Sequence, residues 1–440
     1  MSRQHIYRQK ATVIQHADSL VNVAENNVLT LQITPQFIKN SVLSLSLDCR
    51  SSYEGIQYFM NQMCGVEISK GTISNILKEA SERAREFDKN VDLSNIKQVA
   101  IDEIFQCGEP ILTGVDPEST YAFSMEPMGD RSSDSWHLIF EIAKDNGLNP
   151  EVSISDGAKG LIAGVEKAFP GVEIQADTFH ALYDLGKEIL KCERKANKLI
   201  SAESELNRKL NGAKPRNPEN LKKALEDTTP KMNEAINTYD LLSILYSYLK
   251  MLLGFSGYGF IDSYFLVNWA LNEMRVLAMG NQGLLDEIEK IQKLVPSLLS
   301  FVKRLEKILD AIAVNSGVPP DICHLMYHQL SYLRNNHQSI KEQCHIVNQL
   351  QDKYQEVQNE IHQALSSIKK ASSIVENLNG RIRTYVEVKR IIPDSFFILL
   401  KVYLNTRRYT RSRCKERVGK SPLELLTQTQ QPEFFEIIGF

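Results

Sequence analysis

Two aspartates in this 440-residue sequence stand at short apolar segments and are the first candidates for chemistry. Asp102 lies inside segment 98–105, where a lone carboxylate is unfavourable unless a cation or a hydrogen-bond donor meets it. Asp156 follows segment 152–155 and precedes Gly157. Taken singly, Asp102 is also explained as a buried, hydrogen-bonded carboxylate and Asp156 as part of an Asp-Gly turn.

The elements around these two aspartates predict that they meet. Alternating apolar and polar residues predict three consecutive strands, at 98–105, 110–115 and 120–125. A helix at 134–146, a strand at 152–155, a helix at 161–169 and a strand at 172–175 follow. This is the order of an RNase H-like mixed sheet, in which a right-handed crossover sets the first and fourth strands side by side. Asp102 and Asp156 would then face one point at the carboxyl edge of the sheet.

Two neighbouring carboxylates repel each other unless a dication neutralises them. Hard oxygen ligands without a nearby His or Cys fit Mg²⁺ or Mn²⁺ better than zinc. A competing zinc site lacks support, because its candidate ligands have no compact spacing and are interpreted as packed or surface helix residues. These candidates are Cys323, His324, His328, His337, Cys344 and His345.

Segment 34–88 predicts three helices joined by short turns. Thr34-Pro35 supplies a cap and a first-turn proline, segment 51–54 has capping-box spacing, and Ser69 can cap the third helix. A glycine turn at Gly65 between the last two helices is typical of a helix-turn-helix, and an ordinary helical hairpin is the alternative. In the first case the third helix would present polar side chains to DNA, namely Ser69, Lys70, Thr72, Ser74 and Asn75.

Apolar periodicity predicts helices over most of the chain from 180 to 375, at 180–211, 237–253, 261–279, 283–313 and 322–374. The last of these carries a stripe that is more typical of a packed core or coiled coil than of a ligand site. The helix at 134–146 is expected to pack through Trp136, Leu138, Ile139 and Ile142.

Composition sets the broad class. The chain has 42% apolar and 24% charged residues and a net charge of −3, which is ordinary for a globular protein of about two to three domains. Seven cysteines without a CxxC pair indicate a reducing, cytoplasmic compartment. The N-terminal residues lack a secretory signal and no segment reaches the roughly 18 apolar residues of a membrane span, so we expect no membrane association.

Charge is unevenly distributed. Residues 381–420 contain twelve Lys or Arg against three Asp or Glu. Such a block is able to follow a phosphate backbone, because each neutralised phosphate releases counterions. A solvated helix surface explains the same block on charge alone.

Four motifs together resemble the DDE transposases of bacterial insertion sequences, members of the RNase H-like transposase and integrase superfamily. They are Val99-Ala-Ile-Asp102-Glu103, Ser155-Asp156-Gly157-Ala158, Asp177-Thr-Phe-His180 and the segment from Ser373 to Arg383 around Glu376. The resemblance covers residues 97–185 and 370–425, with no comparable match in the helical segment between them.

The resemblance implies roles for these residues. Asp102, Asp156 and Glu376 would bind two divalent cations, Mg²⁺ or Mn²⁺, and Asp177 and His180 would support the site. Such catalytic domains are often interrupted by a helical insertion before the glutamate, which fits the gap here. Glu103 is not expected to be a ligand, because adjacent strand residues face opposite sides.

The resemblance also gives the basic residues a partner. If Glu376 opens a helix, Asn379, Arg381, Arg383 and Arg390 would hold DNA beside the metals. A set of cations that includes Lys401, Arg407, Arg408 and Arg411 interleaves with Tyr403 and Tyr409, a mixture suited to backbone contact and base stacking, unless the segment is only a basic surface helix. Trp269 is expected in the core, with a platform for a flipped base as the alternative.

The expected organisation has four parts: a helical DNA-binding region at 1–95, the first part of the catalytic core at 96–180, a helical insertion at 181–370 and the rest of the core with its basic block and tail at 371–440. The expected function is cleavage of transposon ends and joining of the 3′-OH to target DNA by a homodimer or higher assembly. A repurposed relative that binds DNA without cutting it, and a metal-dependent nuclease without strand transfer, are the alternatives.

Overall fold

The protein is described by a computed structural model, which covers residues 32–212, 216–333, 340–370, 373–389 and 392–439. The chain divides into two compact units: the described residues up to Glu79 together with Gly439, and Ala80–Ile438. Within the described ranges, each helix is too short or too polar to cross a membrane.

The first unit is helical, as predicted. It contains α1 (Pro35–Leu47), α2 (Tyr53–Cys64) and the beginning of α3 (Lys70–Asp88). Ser52, not Ser51, caps α2, because its Oγ accepts the Gly55 N–H at 3.1 Å; the predicted capping-box spacing therefore begins one residue too early. Gly65 ends α2 with φ 65°, a conformation that glycine adopts without strain. The buried side chains of this unit include Val42, Leu43, Ile56, Met60 and Ile73.

The second unit is built on a five-stranded mixed sheet with the order β3-β2-β1-β4-β5. Its strands are β1 (Gln98–Gln106), β2 (Glu109–Val115), β3 (Ala122–Pro127), β4 (Val152–Ser155) and β5 (Glu173–Ala176). β1 to β3 form an antiparallel meander, whereas β1, β4 and β5 run parallel. Because Ala100 pairs with Ile154, the same register carried two residues further sets Asp102 level with Asp156.

One face of the sheet is covered by α4 (Ser133–Asp145) and α5 (Lys159–Ala168). Gly164 lets these helices approach closely, since a Cβ there would lie 2.5 Å from Cβ of Trp136. The predicted apolar face of α4 is partly wrong: Leu138 and Ile142 are 52% and 58% exposed. The buried positions of α4 are Trp136, Ile139, Phe140 and Ala143, which follow the i, i+3, i+4, i+7 spacing of one helical face.

Eight helices follow the sheet in the described chain. They are α6 (Thr178–Leu210), α7 (Pro218–Leu252), α8 (Phe260–Leu277), α9 (Gln282–Leu298), α10 (Ser300–Ser316), α11 (Pro320–Leu333), α12 (Ile340–Leu350) and α13 (Tyr354–Ser367). They enclose a separate core that includes Leu249, Val267, Phe301, Leu309 and Ile361. The core is linked to the sheet by Ser297, whose Oγ contacts the backbone of Ile174 and Ala176 at 2.8 Å each.

Two predicted helices of this region are each divided. Segment 283–313 forms α9 and α10, because Pro296 cannot donate a backbone hydrogen bond near the end of α9. Segment 322–374 is interrupted at Gln351, which has φ 49° and begins a short 3₁₀ turn. The apolar stripe of this segment is nevertheless buried, at Ile346, Leu350, Val357, Ile361 and Ile368.

The chain then returns to the sheet. α14 (Ser373–Val388) packs on β1 and β2, and α15 (Asp394–Thr406) packs on β3. A 3₁₀ turn (Lys415–Arg417), α16 (Pro422–Thr427) and α17 (Phe434–Ile438) complete the described chain. This return brings Glu376, in the first turn of α14, back to the sheet that carries Asp102.

Candidate carboxylate site at the edge of the sheet

Three side chains from distant parts of the sequence converge beside the middle of β1. One ligand atom each from Asp102, His180 and Glu376 lies within 4.8 Å of the others. Among the described residues, this is the single group of three or more acidic, His or Cys side chains placed to share a metal ion. β1 positions the first residue, and the first turns of α6 and α14 position the other two.

Asp102 is fixed by hydrogen bonds from two donors. Asn379 Nδ2 donates to its Oδ2 at 2.8 Å, and the backbone N–H of Glu103 donates to its Oδ1 at 2.9 Å. Thr113, which pairs with Asp102 across the β1–β2 ladder, places Oγ1 2.9 Å from Asn379 Oδ1. Asn379 is completely buried, so the prediction that its side chain binds DNA is wrong; it orients an acid instead.

Asp102 carries an electrostatic penalty. The pKa of its carboxyl is raised to about 7, chiefly by burial and also by the negative charges of Glu376 and Asp156, which together outweigh the lowering effect of the Glu103 hydrogen bond. A nearby cation would relieve this penalty, because it favours the ionised form of the carboxyl group.

Asp156 directly follows β4 and is exposed. Its Oδ1 accepts the Ala158 N–H at 3.0 Å and Gly157 has φ 91°, so the Asp-Gly turn considered for this position is present. Asp156 lies outside the 4.8 Å group, yet its charge acts on the pKa of Asp102. Asp156 therefore forms the turn and is still close enough to Asp102 to act on its carboxyl group.

His180 is held by a buried aspartate. Asp177 caps α6 by accepting the Phe179 N–H at 2.8 Å on Oδ1, and its Oδ2 lies 2.5 Å from Nδ1 of His180. The hydrogen bond with Asp177 raises the pKa of His180 to about 9, despite the opposing effect of burial. The other ring nitrogen, Nε2, lies 3.3 Å from Oε1 of Glu376. Asp177 and His180 are thus an orienting pair joined directly to the acidic group.

Three arginines are predicted to hold DNA beside Glu376, and the outcome differs for each. Arg383 is exposed and its Nη1 lies 3.5 Å from Oε2 of Glu376, whereas Arg381 is largely buried, which lowers the pKa of its guanidinium. Arg390 lies outside the described residues.

Glu103 points away from the group and pairs with Arg131, as expected for a residue on the opposite face of β1.

The basic block is not one surface helix. Lys401 is buried in α15 with Nζ 2.9 Å from Asp88 and 3.5 Å from Glu126. Arg408 pairs with Glu424 at 2.9 Å and with Glu433 at 3.2 Å. Arg407 and Arg411 are exposed after the end of α15. Only part of the block is therefore available to a phosphate backbone.

The two tyrosines of this block differ. Tyr403 is 5% exposed and packs edge-to-face against Phe434, so the base-stacking role suggested for it is wrong. Tyr409 is half-buried, and its hydroxyl lies 2.6 Å from Thr120 Oγ1.

Trp269 lies on the surface of α8, not in the core. Its side chain is 50% exposed and meets Tyr248 edge-to-face at 6.0 Å. The prediction of burial is wrong because the buried face of α8 is formed by Val267, Ala270, Leu271 and Met274.

The residues considered for zinc are dispersed. His324 pairs with Asp310 at 2.9 Å, Cys323 is buried, and His337 lies outside the described residues.

The start of α3 retains an exposed polar face. Ser69 Oγ accepts the Thr72 N–H at 3.0 Å, as predicted, and Lys70 pairs with Glu54 at 2.6 Å. Thr72, Ser74 and Asn75 are exposed on the same helix.

Sequence reasoning missed Thr113 and the aromatic residues that flank His180. Thr113 could have been found from the sequence, because a tight turn at Gly108 fixes the pairing of the two predicted strands and sets Thr113 opposite Asp102. Phe179 and Tyr183 had none, since their exposure depends on which faces of α6 the neighbouring helices cover.

The fold and the site define an α/β protein with an acidic group at the edge of a mixed sheet. Residues 38–206 match the family described as "Transposase, Mutator family". This match supports a role as a transposase, a class of protein that binds DNA. The matched range contains Asp102, Asp156 and His180, whereas Glu376 lies beyond it. A search of curated proteins returns no match to the chain.

Proposed function

We propose that this protein is a DDE-type transposase of an insertion sequence, with an RNase H-like core that cleaves transposon ends and joins the 3′-OH to target DNA. The observation that supports the proposal is the convergence of Asp102, His180 and Glu376 within 4.8 Å, with Asp156 at the end of the neighbouring strand. These residues also belong to the motifs through which the sequence resembles that enzyme class.

The donor set fits divalent cations. Asp102, Asp156 and Glu376 offer hard carboxylate oxygens of the kind that Mg²⁺ or Mn²⁺ prefers, and they would hold two ions. The raised pKa of Asp102 comes chiefly from burial, with a further contribution from Glu376 and Asp156, and a bound cation would favour the ionised form of this carboxyl. Bound divalent ions would stabilise the charge on the attacking and leaving oxygens of an in-line displacement at phosphorus.

Other residues of the chain would orient the acids and the substrate. Asn379 holds Asp102, and Asp177 holds His180 against Glu376. Arg383 is exposed beside Glu376 and would contact a phosphate. In the first step a water oxygen attacks the phosphorus at the element's end, and the P–O3′ bond breaks to leave a 3′-OH on the element and a 5′-phosphate on the flanking DNA. In the second step that 3′-OH attacks a target phosphorus, and the target's own P–O3′ bond breaks to leave a 3′-OH on the target strand.

DNA recognition is assigned to surfaces outside the acidic group. α2, the turn at Gly65 and α3 would form a helix-turn-helix that presents Lys70, Thr72 and Asn75. Arg407 and Arg411 would contact the DNA backbone, and Trp269 would receive a flipped base. This proposal keeps the four regions predicted from the sequence. It also assigns the pairing of the two ends of the element to an assembly of two or more copies of the chain.

The test is incubation of the full chain with labelled DNA from the flanks of its gene, with and without Mg²⁺. Asp102→Asn, Asp156→Asn and Glu376→Gln should each abolish nicking while leaving DNA binding. Glu103→Gln is the matched control, because this acid neighbours Asp102 but pairs with Arg131. Nicking that survives all three changes would reject the assignment, and nicks without joined products would favour a nuclease.

A further inference from the structure

One face of α6 is left open by its neighbours. The helix packs against α7 and α9 through Ala181, Leu185 and Ile189. The opposite face begins beside the carboxylate site and presents aromatic, aliphatic and cationic side chains that are exposed: Phe179, Tyr183, Lys187, Leu190, Lys191, Arg194 and Lys198.

Two of these residues form a stacked pair of rings. Phe179 and Tyr183 are 48% and 52% exposed, with ring centroids 5.8 Å apart and planes 11° from parallel. Phe179 also meets the His180 ring edge-to-face at 5.7 Å. Because His180 Nε2 is 3.3 Å from Glu376, the rings directly adjoin the acidic group.

Four cations continue along the same face. The cations lie four, three and four residues apart, which is the spacing of one helical stripe; they are Lys187, Lys191, Arg194 and Lys198. Between His180 and Lys198 the helix rises by about 27 Å, which corresponds to roughly eight base-pair steps of a duplex. Lys187 Nζ lies 4.1 Å from the centre of the Tyr183 ring, so the cationic stripe begins where the rings end.

Little within the protein neutralises this stripe. Lys187 pairs with Asp184 at 3.0 Å and Lys191 with Glu188 at 2.6 Å, and both lysine side chains are more than half exposed, so solvent weakens these pairs. Across the part of the chain that the structure describes, Arg194 and Lys198 have no ion pair or side-chain hydrogen bond.

We propose that this face of α6 binds DNA beside the reacting phosphate. Phe179 and Tyr183 stack on an unpaired nucleobase at the DNA end, and Lys187, Lys191, Arg194 and Lys198 contact successive phosphates. The occupant that fits this face best is DNA. The line of cations complements the negative charge of a phosphate backbone, and the exposed rings beside the acidic group are able to stack on a base. The inference rests on the proposed function and adds a substrate feature, an unpaired base at the processed end.

The test compares two labelled probes with the full chain, a blunt duplex and the same duplex with a short single-stranded 3′ overhang, by fluorescence anisotropy over a range of salt. The wild type should prefer the overhang. Phe179→Leu with Tyr183→Leu should remove that preference, about tenfold, and leave blunt-duplex affinity unchanged. Arg194→Gln with Lys198→Gln should weaken both probes alike and lower the salt slope by about two.

The matched control is Lys307→Gln with Lys341→Gln, which removes the same charge from exposed positions on α10 and α12 and should leave the slope near that of the wild type. An overhang preference that survives loss of both rings would overturn the stacking assignment. An unchanged slope without Arg194 and Lys198 would overturn the phosphate track. A wild type that binds neither probe would overturn the proposed function as well, whereas bound probes with unaffected variants would overturn this inference alone.

Discussion

Asn379 donates a 2.8 Å hydrogen bond to Asp102, and this bond joins the helix that carries Glu376 to the strand that carries the first aspartate. The same amide accepts from Thr113 on β2, so one buried side chain connects β1, β2 and α14. The spacing of the acidic group therefore depends on an uncharged residue that touches no substrate.

Asn379→Ala is expected to misplace Asp102 and to lower DNA cleavage by at least about tenfold. Stability should fall by about 1–3 kcal/mol, because a buried hydrogen bond is lost. Cleavage assays and urea denaturation measure the two effects.

The matched control is Asn405→Ala. Asn405 is also buried and bonds both backbone groups of Ala122 at 2.9 Å, on β3 and not on the strand that carries Asp102. A similar stability loss with cleavage per folded molecule close to wild type is expected. Equal activity losses in both variants would show that Asn379 acts only through stability.

Asp177→Asn should separate two roles of one residue. Asparagine still caps a helix, so α6 should keep its start, while the charged partner of His180 is lost. Cleavage is expected to fall about tenfold, and the melting temperature at neutral pH should fall as well, because the bond that raises the pKa of His180 contributes stability there. Asp177→Ala, which also removes the cap, should lower stability by about another 1 kcal/mol; wild-type cleavage in Asp177→Asn would contradict the orienting role.

The pair of Arg408 and Glu424 should make stability depend on acid pH. The hydrogen bond from Arg408 lowers the pKa of Glu424 to about 2. A lowered folded-state pKa gives stability that is present above pH 4.5 and lost as pH falls towards 2. Because Arg408 is partly open to solvent, we expect about 1–2 kcal/mol. Glu424→Gln should lose this dependence in denaturation curves between pH 5 and 2; parallel curves for both proteins would contradict it.

Alanine substitutions of single side chains on α4 should reveal which face of this helix is buried. Ile139→Ala is expected to cost about 2–5 kcal/mol, because Ile139 is 4% exposed in the core under the sheet. Ile142→Ala removes the same atoms from a 58% exposed position and should cost less than about 1 kcal/mol. Equal losses in urea denaturation would mean that the faces are assigned wrongly.

Two cations of the basic block should behave in opposite ways. Lys401→Met removes the buried partner of the partly exposed Asp88 and Glu126 and should destabilise the protein by about 1–3 kcal/mol, because charged hydrogen bonds are lost. Arg411→Gln, at an exposed position, should reduce DNA affinity and its salt dependence while stability stays near wild type. Thermal melts and anisotropy titrations distinguish them, and reversed results would restore a phosphate-binding role for Lys401.

The sequence by itself determined the type and order of most elements, although it missed the breaks near Pro296 and Gln351. Alternation around Asp102, the Asp-Gly turn at Asp156 and the cap at Ser69 are local properties, because backbone geometry and hydrogen-bond capacity are set by near neighbours. The parallel pairing of β1 with β4 followed from the handedness of crossovers.

Only the tertiary structure decided which charged and aromatic residues face solvent. Lys401 looked like a surface cation and is buried, Trp269 looked like core and is exposed, and Asn379 looked like a DNA ligand and orients an acid. Glu376 reaches His180 only because α14 returns to β1 and β2 after the whole helical region. Burial and pairing depend on which elements meet, and contacts between residues far apart in the chain are not encoded in any local pattern.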